Sequence, residues 1–288
     1  MVSLAIGIAV RRNLMTDASE RGNMRILTRR NALKGTLAFA VGATSLAACG
    51  AAPRTGTGLT NVHVMGMIHR GHRTSESYSL AVLEAAVRRA KPDAILTEIP
   101  PDRIGKAISS FRETGEITEP RARVFPEYTD VVFPLSREMD FQIIGTAGWT
   151  REMADNRREA LRRIEADPAR AEQWAEHVAA RREFSRKLAG RGDDPEFIHT
   201  EEYDQLVKAG YTPYQRYFDN DLGPGGWTQI NAAHNRYINE ALDALSGQGL
   251  TALVTYGSAH KYMILESLAQ REDIALADTR ALFERGSG

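Results

Sequence analysis

The sequence predicts an α/β fold with a mixed or mostly parallel central sheet flanked by helices, and two similar segments indicate it. Each segment begins with an apolar run ending in Gly-x-x-His, continues as a helical pattern, and closes with an apolar run ending in a carboxylate. The segments span 62–98 and 252–278. Because parallel strands need a crossover connection, usually a helix, each segment is predicted to be a β-α-β unit.

The first unit carries its motif from Gly66 to His69, directly after the apolar run 62–65. Apolar residues then recur at helical spacing as far as about residue 89. Pro92 ends this helix, since the residue before a proline avoids helical backbone angles. A strand over 94–97 follows and closes on Glu98.

The second unit repeats this plan from Gly257 to His260, with a helix to about residue 270 and a strand that closes on Asp278. Both histidines therefore emerge just past the carboxyl end of a strand, where open α/β sheets place their ligands. His69 and His260 are distant in the sequence. They can meet only if the two units lie side by side in one sheet.

The region between the units is predicted to contain a helical insertion over about 150–226. Arginine and glutamate recur there at helical spacing with few apolar positions, and Pro168 is expected to divide the pattern into two helices. The surplus of basic residues is typical of a solvated outer face. The functional alternative is a lid that contacts an acidic substrate.

The first 48 residues resemble a bacterial export signal. Arg29 and Arg30 form a twin-arginine region, a short apolar stretch follows at 35–46, and small residues precede Cys49 as in a lipobox. The apolar stretch is too short to span a bilayer. The alternative is an uncleaved buried helix, and Met24 is the expected start of translation.

This organisation predicts a lipidated Cys49 with a flexible tether to residue 60, and one domain over 61–288. The protein is then expected to be exported and anchored on the periplasmic face of the cell envelope, in the outer membrane if the organism has two. Cys49 is the one cysteine, so the domain has no internal disulfide and no thiolate metal site. The formal net charge is zero, which gives no indication of nucleic-acid binding.

Two imidazoles and one carboxylate are a common ligand set for a catalytic divalent metal that retains a water. His69, His260 and Glu98 are the predicted ligands and catalytic residues, because all three follow predicted strands. A bound cation of this kind (Mn, Co, Zn or Fe) makes water a nucleophile near neutral pH and polarises a carbonyl. The structural alternative is that the two histidines only form hydrogen bonds across the sheet edge.

Further candidates lie close to these motifs in the sequence. Asp278 matches Glu98 in the second unit, and His72 follows His69 closely enough to add a ligand or a proton relay. Arg73 and Arg103 could bind a substrate carboxylate or orient Glu98, and ordinary salt bridges are the alternative. Asn235 and Arg236, on the helix that leads into the second unit, could project toward the same edge to bind substrate, and surface exposure is the alternative.

At these positions the chain resembles the TraB/Tiki (GumN-like) superfamily, which is related in fold to erythromycin-esterase-like and ChaN-like proteins. The resemblance rests on four segments: Gly66 to His69, Pro92 to Glu98, His234 to Ile238, and Tyr256 to His260. Tiki-type members look like metal-dependent proteases, and their ligands correspond to His69, His260 and Glu98. The family usually has an Arg-Asn pair where this chain has His234-Asn235.

Three functions follow as expectations. The first is a lipid-anchored, metal-dependent hydrolase that cleaves peptide or another small acyl substrate. The second, implied by the ChaN-like relationship, is a haem- or iron-binding lipoprotein with Tyr or His as the axial ligand. The third is a non-catalytic protein that binds and sequesters a peptide. Substrate, metal identity and oligomeric state are not indicated by the sequence.

Overall fold

A central sheet of five strands organises the computed structural model, which describes residues 58–284. The strands are β1 (Thr60–Met67), β2 (Ala94–Thr97), β3 (Gln142–Gly145), β4 (Thr251–Gly257) and β5 (Ile274–Leu276). Within this part of the chain they lie in the order β3-β2-β4-β1-β5, and every neighbouring pair is parallel. The predicted α/β fold with a parallel sheet is confirmed.

The two β-α-β units interleave within this sheet. The strand β4 lies between β1 and β2, and β1 in turn lies between β4 and β5. In the β1 and β4 pair, Gly66 is opposite Tyr256 and Met67 is opposite Gly257. The two Gly-x-x-His motifs therefore leave the sheet next to each other.

Helices cover both faces of the sheet. Those outside the region predicted as an insertion are α1 (Leu80–Ala90), α2 (Pro101–Thr114), a π-helical turn (Glu127–Val132) continued by α3 (Phe133–Leu135), α8 (Trp227–Leu245) and α9 (Lys261–Leu268). The insertion forms α4 (Arg151–Ala166), α5 (Ala171–Leu188), α6 (Pro195–Ile198) and α7 (Glu201–Leu222), and a 3-10 turn that begins at Pro168 separates α4 from α5.

Side chains alternate along the strands and divide the core into two parts. In β1, Val62 and Val64 pack in the core formed with α8 and α9, whereas Met65 and Met67 pack in the core that includes α1, α2 and α7. Both faces of the sheet are thus covered, as parallel sheets require. Because helices cover both faces, a site on this sheet is expected at the rim formed by the carboxyl ends of the strands.

The predicted signal region, with Met24 and Cys49, lies outside the described residues, as does the tether up to residue 57. Among residues 58–284, none of the helices has the combination of length and apolar character needed to cross a bilayer.

His199 fixes the insertion to the end of β1. Its Nε2 accepts a hydrogen bond of 2.9 Å from the Gly66 backbone N–H, and its Nδ1–H donates to the Pro195 carbonyl over 2.6 Å. The ring also stacks on Phe283 at 5.0 Å between centroids. Because one ring nitrogen must accept, this arrangement requires a neutral imidazole, and desolvation lowers the pKa of His199 to about 3.

We predict that His199 makes the stability of the fold depend on pH. Its pKa is lower in the folded protein than its usual value of 6.5, so protons bind the unfolded chain preferentially. The contribution of His199 is fully present above pH 6.5 and is lost as the pH falls toward 3, with a slope of about 1.4 kcal/mol per pH unit.

Urea unfolding at pH 7.5 and pH 5 tests this expectation. The substitution His199→Gln should lower the free energy of unfolding at pH 7.5, and the gap between the two proteins should narrow at pH 5. An equal gap at both pH values would contradict the role assigned to His199.

Candidate active site

Three predicted site residues lie at the carboxyl rim of the sheet. His69 begins a 3-10 turn directly after β1, and His260 ends a 3-10 turn directly after β4. Glu98 follows β2, which is the other neighbour of β4. Three adjacent strands therefore supply the two histidines and the carboxylate.

Gly257 holds the Glu98 carboxylate beside His69. The Gly257 backbone N–H donates to Glu98 Oε2 over 2.8 Å, and this oxygen lies 3.7 Å from His69 Nε2. A Cβ atom at residue 257 would lie 2.7 Å from His69 Nε2. The backbone angle φ of Gly257 is −46°, which any residue can adopt. Glycine is therefore required here by space and not by backbone conformation.

A second carboxylate, Glu127, binds the other side of the His69 ring. The distance from His69 Nδ1 to Glu127 Oε1 is 2.6 Å, and the Glu127 side chain is fully buried. Glu127 belongs to the π-helical turn, and its Oε2 is buried without a hydrogen-bond partner among the described residues. An ionised Glu127 only accepts, so the proton of the neutral imidazole is on Nδ1 and Nε2 carries the lone pair.

The next residue of the π-helical turn, Tyr128, joins the ends of two strands. Its hydroxyl accepts from the Glu98 backbone N–H over 2.6 Å and donates to the Thr255 carbonyl over 2.8 Å. Tyr128 is fully buried. The π-helical turn therefore fixes both the position of Glu98 and the orientation of His69.

His260 is oriented by a buried amide. Its Nδ1 lies 2.8 Å from Asn231 Oδ1, and Asn231 Nδ2 donates to the Trp227 carbonyl over 2.7 Å. The second bond fixes which end of the amide faces the ring, so His260 Nδ1 must donate. The Trp227 ring stacks on His260 at 4.7 Å. His260 Nε2 has no hydrogen-bond partner among the described residues.

A further histidine, His234, lies beside His260, although the sequence analysis gave it no role. Its Nδ1 accepts from the Gly148 backbone N–H over 2.8 Å, and its ring lies 5.0 Å from that of His260 at nearly a right angle. Its Nε2 is buried without a partner in the described part of the chain. Burial, together with the charges of His260 and Arg121, lowers the pKa of His234.

The two motif histidines have opposite pKa shifts. Burial alone would lower the pKa of His69, but the Glu127 hydrogen bond and the charges of Glu98 and Glu127 together raise it. Burial lowers the pKa of His260, and the nearby charge of Glu98 only partly opposes this. Groups whose environments separate their pKa values are typical of functional sites.

His72 and Asp278 form other contacts in the structure. His72 Nε2 accepts from the Ile68 backbone N–H over 3.2 Å, and its Nδ1–H donates to the Tyr78 carbonyl over 2.8 Å. Both ring nitrogens are therefore in use. The Asp278 carboxylate forms an exposed ion pair of 2.6 Å with Arg280.

The three predicted substrate-binding arginines form exposed ion pairs, which was the alternative interpretation. The pairs are Arg73 with Asp130 at 2.9 Å, Arg103 with Asp102 at 3.0 Å, and Arg236 with Glu240 at 3.5 Å. Asn235 donates from Nδ2 to the Met263 carbonyl over 3.1 Å. The helix α8 therefore approaches the site through His234 and through Asn231, which lies one turn before the predicted Asn235.

Glu127 and Asn231 were not predicted from the sequence. Glu127 follows Pro126 in a segment without repeated pattern, so nothing local distinguishes it from a loop carboxylate. Asn231, in contrast, is three residues before His234 and seven before Ile238, and this spacing places a buried amide within an apolar helix face. A polar residue at that spacing is the feature that could have indicated Asn231.

The chain gives no significant match to protein-family models, curated proteins or solved structures.

We predict that changing Glu127 to Gln lowers the pKa of His69. The substitution keeps the size of the side chain and a hydrogen-bond acceptor but removes the negative charge that favours the imidazolium. Side-chain NMR of the metal-free protein, titrated between pH 5 and pH 9, measures this value directly. The His260 resonance should keep a pKa below 6.5.

The matched control is Asp130→Asn, because Asp130 is in the same π-helical turn but pairs with the exposed Arg73. It should leave the titration of His69 unchanged. An equal shift in both variants would show that His69 responds to the charge of the turn and not to its bond with Glu127.

Proposed function

We propose that this rim is the active site of a divalent-metal hydrolase that acts on peptide or another small acyl substrate. The proposal rests on one observation: the Nδ1 atom of each motif histidine is hydrogen-bonded to a buried side-chain oxygen. This oxygen belongs to Glu127 for His69 and to Asn231 for His260. Each ring therefore presents an Nε2 lone pair at the rim that also holds Glu98. This is how proteins usually prepare histidine for metal binding.

The distance between His69 and Glu98 is compatible with a shared cation. Two ligand atoms that each bind a metal at about 2.1 Å can lie up to about 4.2 Å apart, and His69 Nε2 and Glu98 Oε2 are separated by 3.7 Å. Within residues 58–284, no three His, Cys, Asp or Glu side chains already form a metal-binding group. His260, whose Nε2 has no hydrogen-bond partner among the described residues, is the proposed third ligand.

The chain's own residues prepare each part of this site. A divalent cation, when bound, supplies a water of lowered pKa and polarises the substrate carbonyl. Glu127 retains the Nδ1 proton of His69, which makes Nε2 more basic, and Asn231 does the same for His260. The Gly257 N–H fixes Glu98 Oε2, and Gly257 leaves the space in which His69 Nε2 lies.

A metal-free hydrolase is the second candidate, favoured by the 2.6 Å bond between Glu127 and His69. In this mechanism His69 Nε2 accepts a proton from water as the water oxygen attacks the substrate carbonyl. The imidazolium is stabilised by Glu127 and Glu98, and it then donates the proton to the leaving group. The raised pKa of His69 suits an imidazole that both accepts and donates.

The wider setting is also part of this proposal. The resemblance to TraB/Tiki proteins supports hydrolysis, and lipidation at Cys49 would anchor the domain at the periplasmic side of the envelope. Haem or iron binding and peptide sequestration stay predictions. A Soret band on addition of haem would favour the former, and peptide capture that survives a chelator would favour the latter.

Elemental analysis with peptidase assays tests the proposal on the chain carrying Cys49→Ser, which prevents lipidation. We expect His69→Ala, His260→Ala and Glu98→Gln each to lose bound metal and to reduce kcat/KM by at least about 100-fold, because each removes a ligand. The matched control is His177→Asn, since His177 lies in an aromatic cluster on α5.

A chelator decides between the two candidates. Loss of turnover with the chelator and its return with one added cation support the metal site. Turnover that resists the chelator but disappears in Glu127→Ala supports the metal-free mechanism. Equal metal content and equal turnover in every variant would exclude both.

A further inference from the structure

A cavity of about 450 Å³ lies beside the site and is rich in arginine. It is formed by the segment before the π-helical turn, the residues after β3, and α4. Its principal lining residues are Arg121, Trp149, Arg157, Arg158, Leu161 and Arg162. This volume is in the range of small-molecule sites, about 300 to 1,000 Å³.

The positive charge of this cavity is mostly uncompensated. Arg158 pairs with Asp155 at 2.9 Å. Arg121, Arg157 and Arg162 have no carboxylate partner within residues 58–284, and the one acidic side chain of the lining is the exposed Glu165. Three guanidinium groups close together repel one another unless an anion is present.

Two of these arginines are held in position by the fold. Arg157 donates from Nε to the Tyr214 hydroxyl over 2.9 Å. The guanidinium of Arg121 lies 5.1 Å from the centre of the Phe125 ring, and its Nε is buried without a hydrogen-bond partner among the described residues. These contacts hold the Arg121 and Arg157 side chains in place before any ligand binds, which lowers the entropy cost of binding.

Aromatic contacts connect the cavity to both histidines of the site. On one side, the Phe125 ring beneath Arg121 lies 5.0 Å from the His69 ring. On the other side, the Trp149 ring lies 6.4 Å from the His234 ring, which lies 5.0 Å from His260. One ring therefore separates the cavity from each motif histidine. The cavity and the site are therefore neighbours in the fold.

We propose that this cavity binds a carboxylate of the substrate, so that the enzyme prefers acidic peptides. This inference rests on the proposed hydrolase function and assigns its substrate class. A guanidinium presents a planar pair of donors that matches a carboxylate. Trp149 and Leu161 offer apolar surface for the methylene groups that carry such a carboxylate, as in a glutamate side chain.

The test compares internally quenched peptides that are identical except for a central Glu, Gln or Lys. The Glu peptide should exceed the Gln peptide in kcat/KM by about tenfold or more, because a hydrogen bond to a charged group contributes about 1.5 to 3 kcal/mol. The variants Arg121→Gln and Arg162→Gln should each reduce this ratio by about tenfold.

Arg163→Gln is the matched control, because Arg163 follows Arg162 on α4 but pairs with Glu159 and does not line this cavity. It should keep the ratio of the wild-type protein. Equal hydrolysis of the three peptides would overturn the inference and leave the proposed hydrolase function intact.

If no peptide is cleaved, a binding measurement tests carboxylate binding by the cavity independently of the hydrolase function. In the Glu98→Gln variant, a tri-glutamate peptide should quench Trp149 fluorescence with saturation, whereas a tri-glutamine peptide should not, and Trp149→Phe identifies the signal. Charge-selective quenching that is lost in Arg121→Gln would support the cavity while the hydrolase function fails. Quenching by inorganic phosphate alone, or none at all, would overturn the carboxylate assignment.

Discussion

The parallel pairing of β1 with β4 is the constraint on which the site depends. It places Met67 opposite Gly257, so the two motifs leave the sheet at nearly the same height although they are far apart in the sequence. Both strands are buried on both faces. A shift of one residue in the pairing register would therefore turn the side chains of each core toward the opposite face of the sheet. Core packing therefore determines that the two motifs leave the sheet side by side.

The π-helical turn adds what the sheet alone does not supply. Helices of this type are rare and occur often at functional sites. Here successive residues of one turn act on different parts of the rim: Glu127 binds His69, and Tyr128 joins Glu98 to the strand end at Thr255. A fully buried carboxylate interacts with an imidazole more strongly than an exposed one, because water does not screen it.

The fold class and the strand-end residues could be predicted because their signals are local: apolar runs, a motif and a closing carboxylate. The interleaving of the two units could not be predicted, because the lateral order of strands is decided by packing between distant segments. Glu127 acquires its role only from the fold that buries it. Arg236 illustrates the opposite case, because it is only two residues from His234 in the sequence but forms an exposed ion pair.

Interleaving also affects how the protein is made. Neither unit has its own two strands as neighbours, so neither half of the chain can build a continuous sheet by itself. A nascent chain that has not yet produced β4 lacks the strand between β1 and β2. The rim therefore assembles only at the end of synthesis, and folding is governed by contacts of long sequence separation, which form slowly. A chain that ends before β4 therefore lacks both His260 and the strand that places it beside β1.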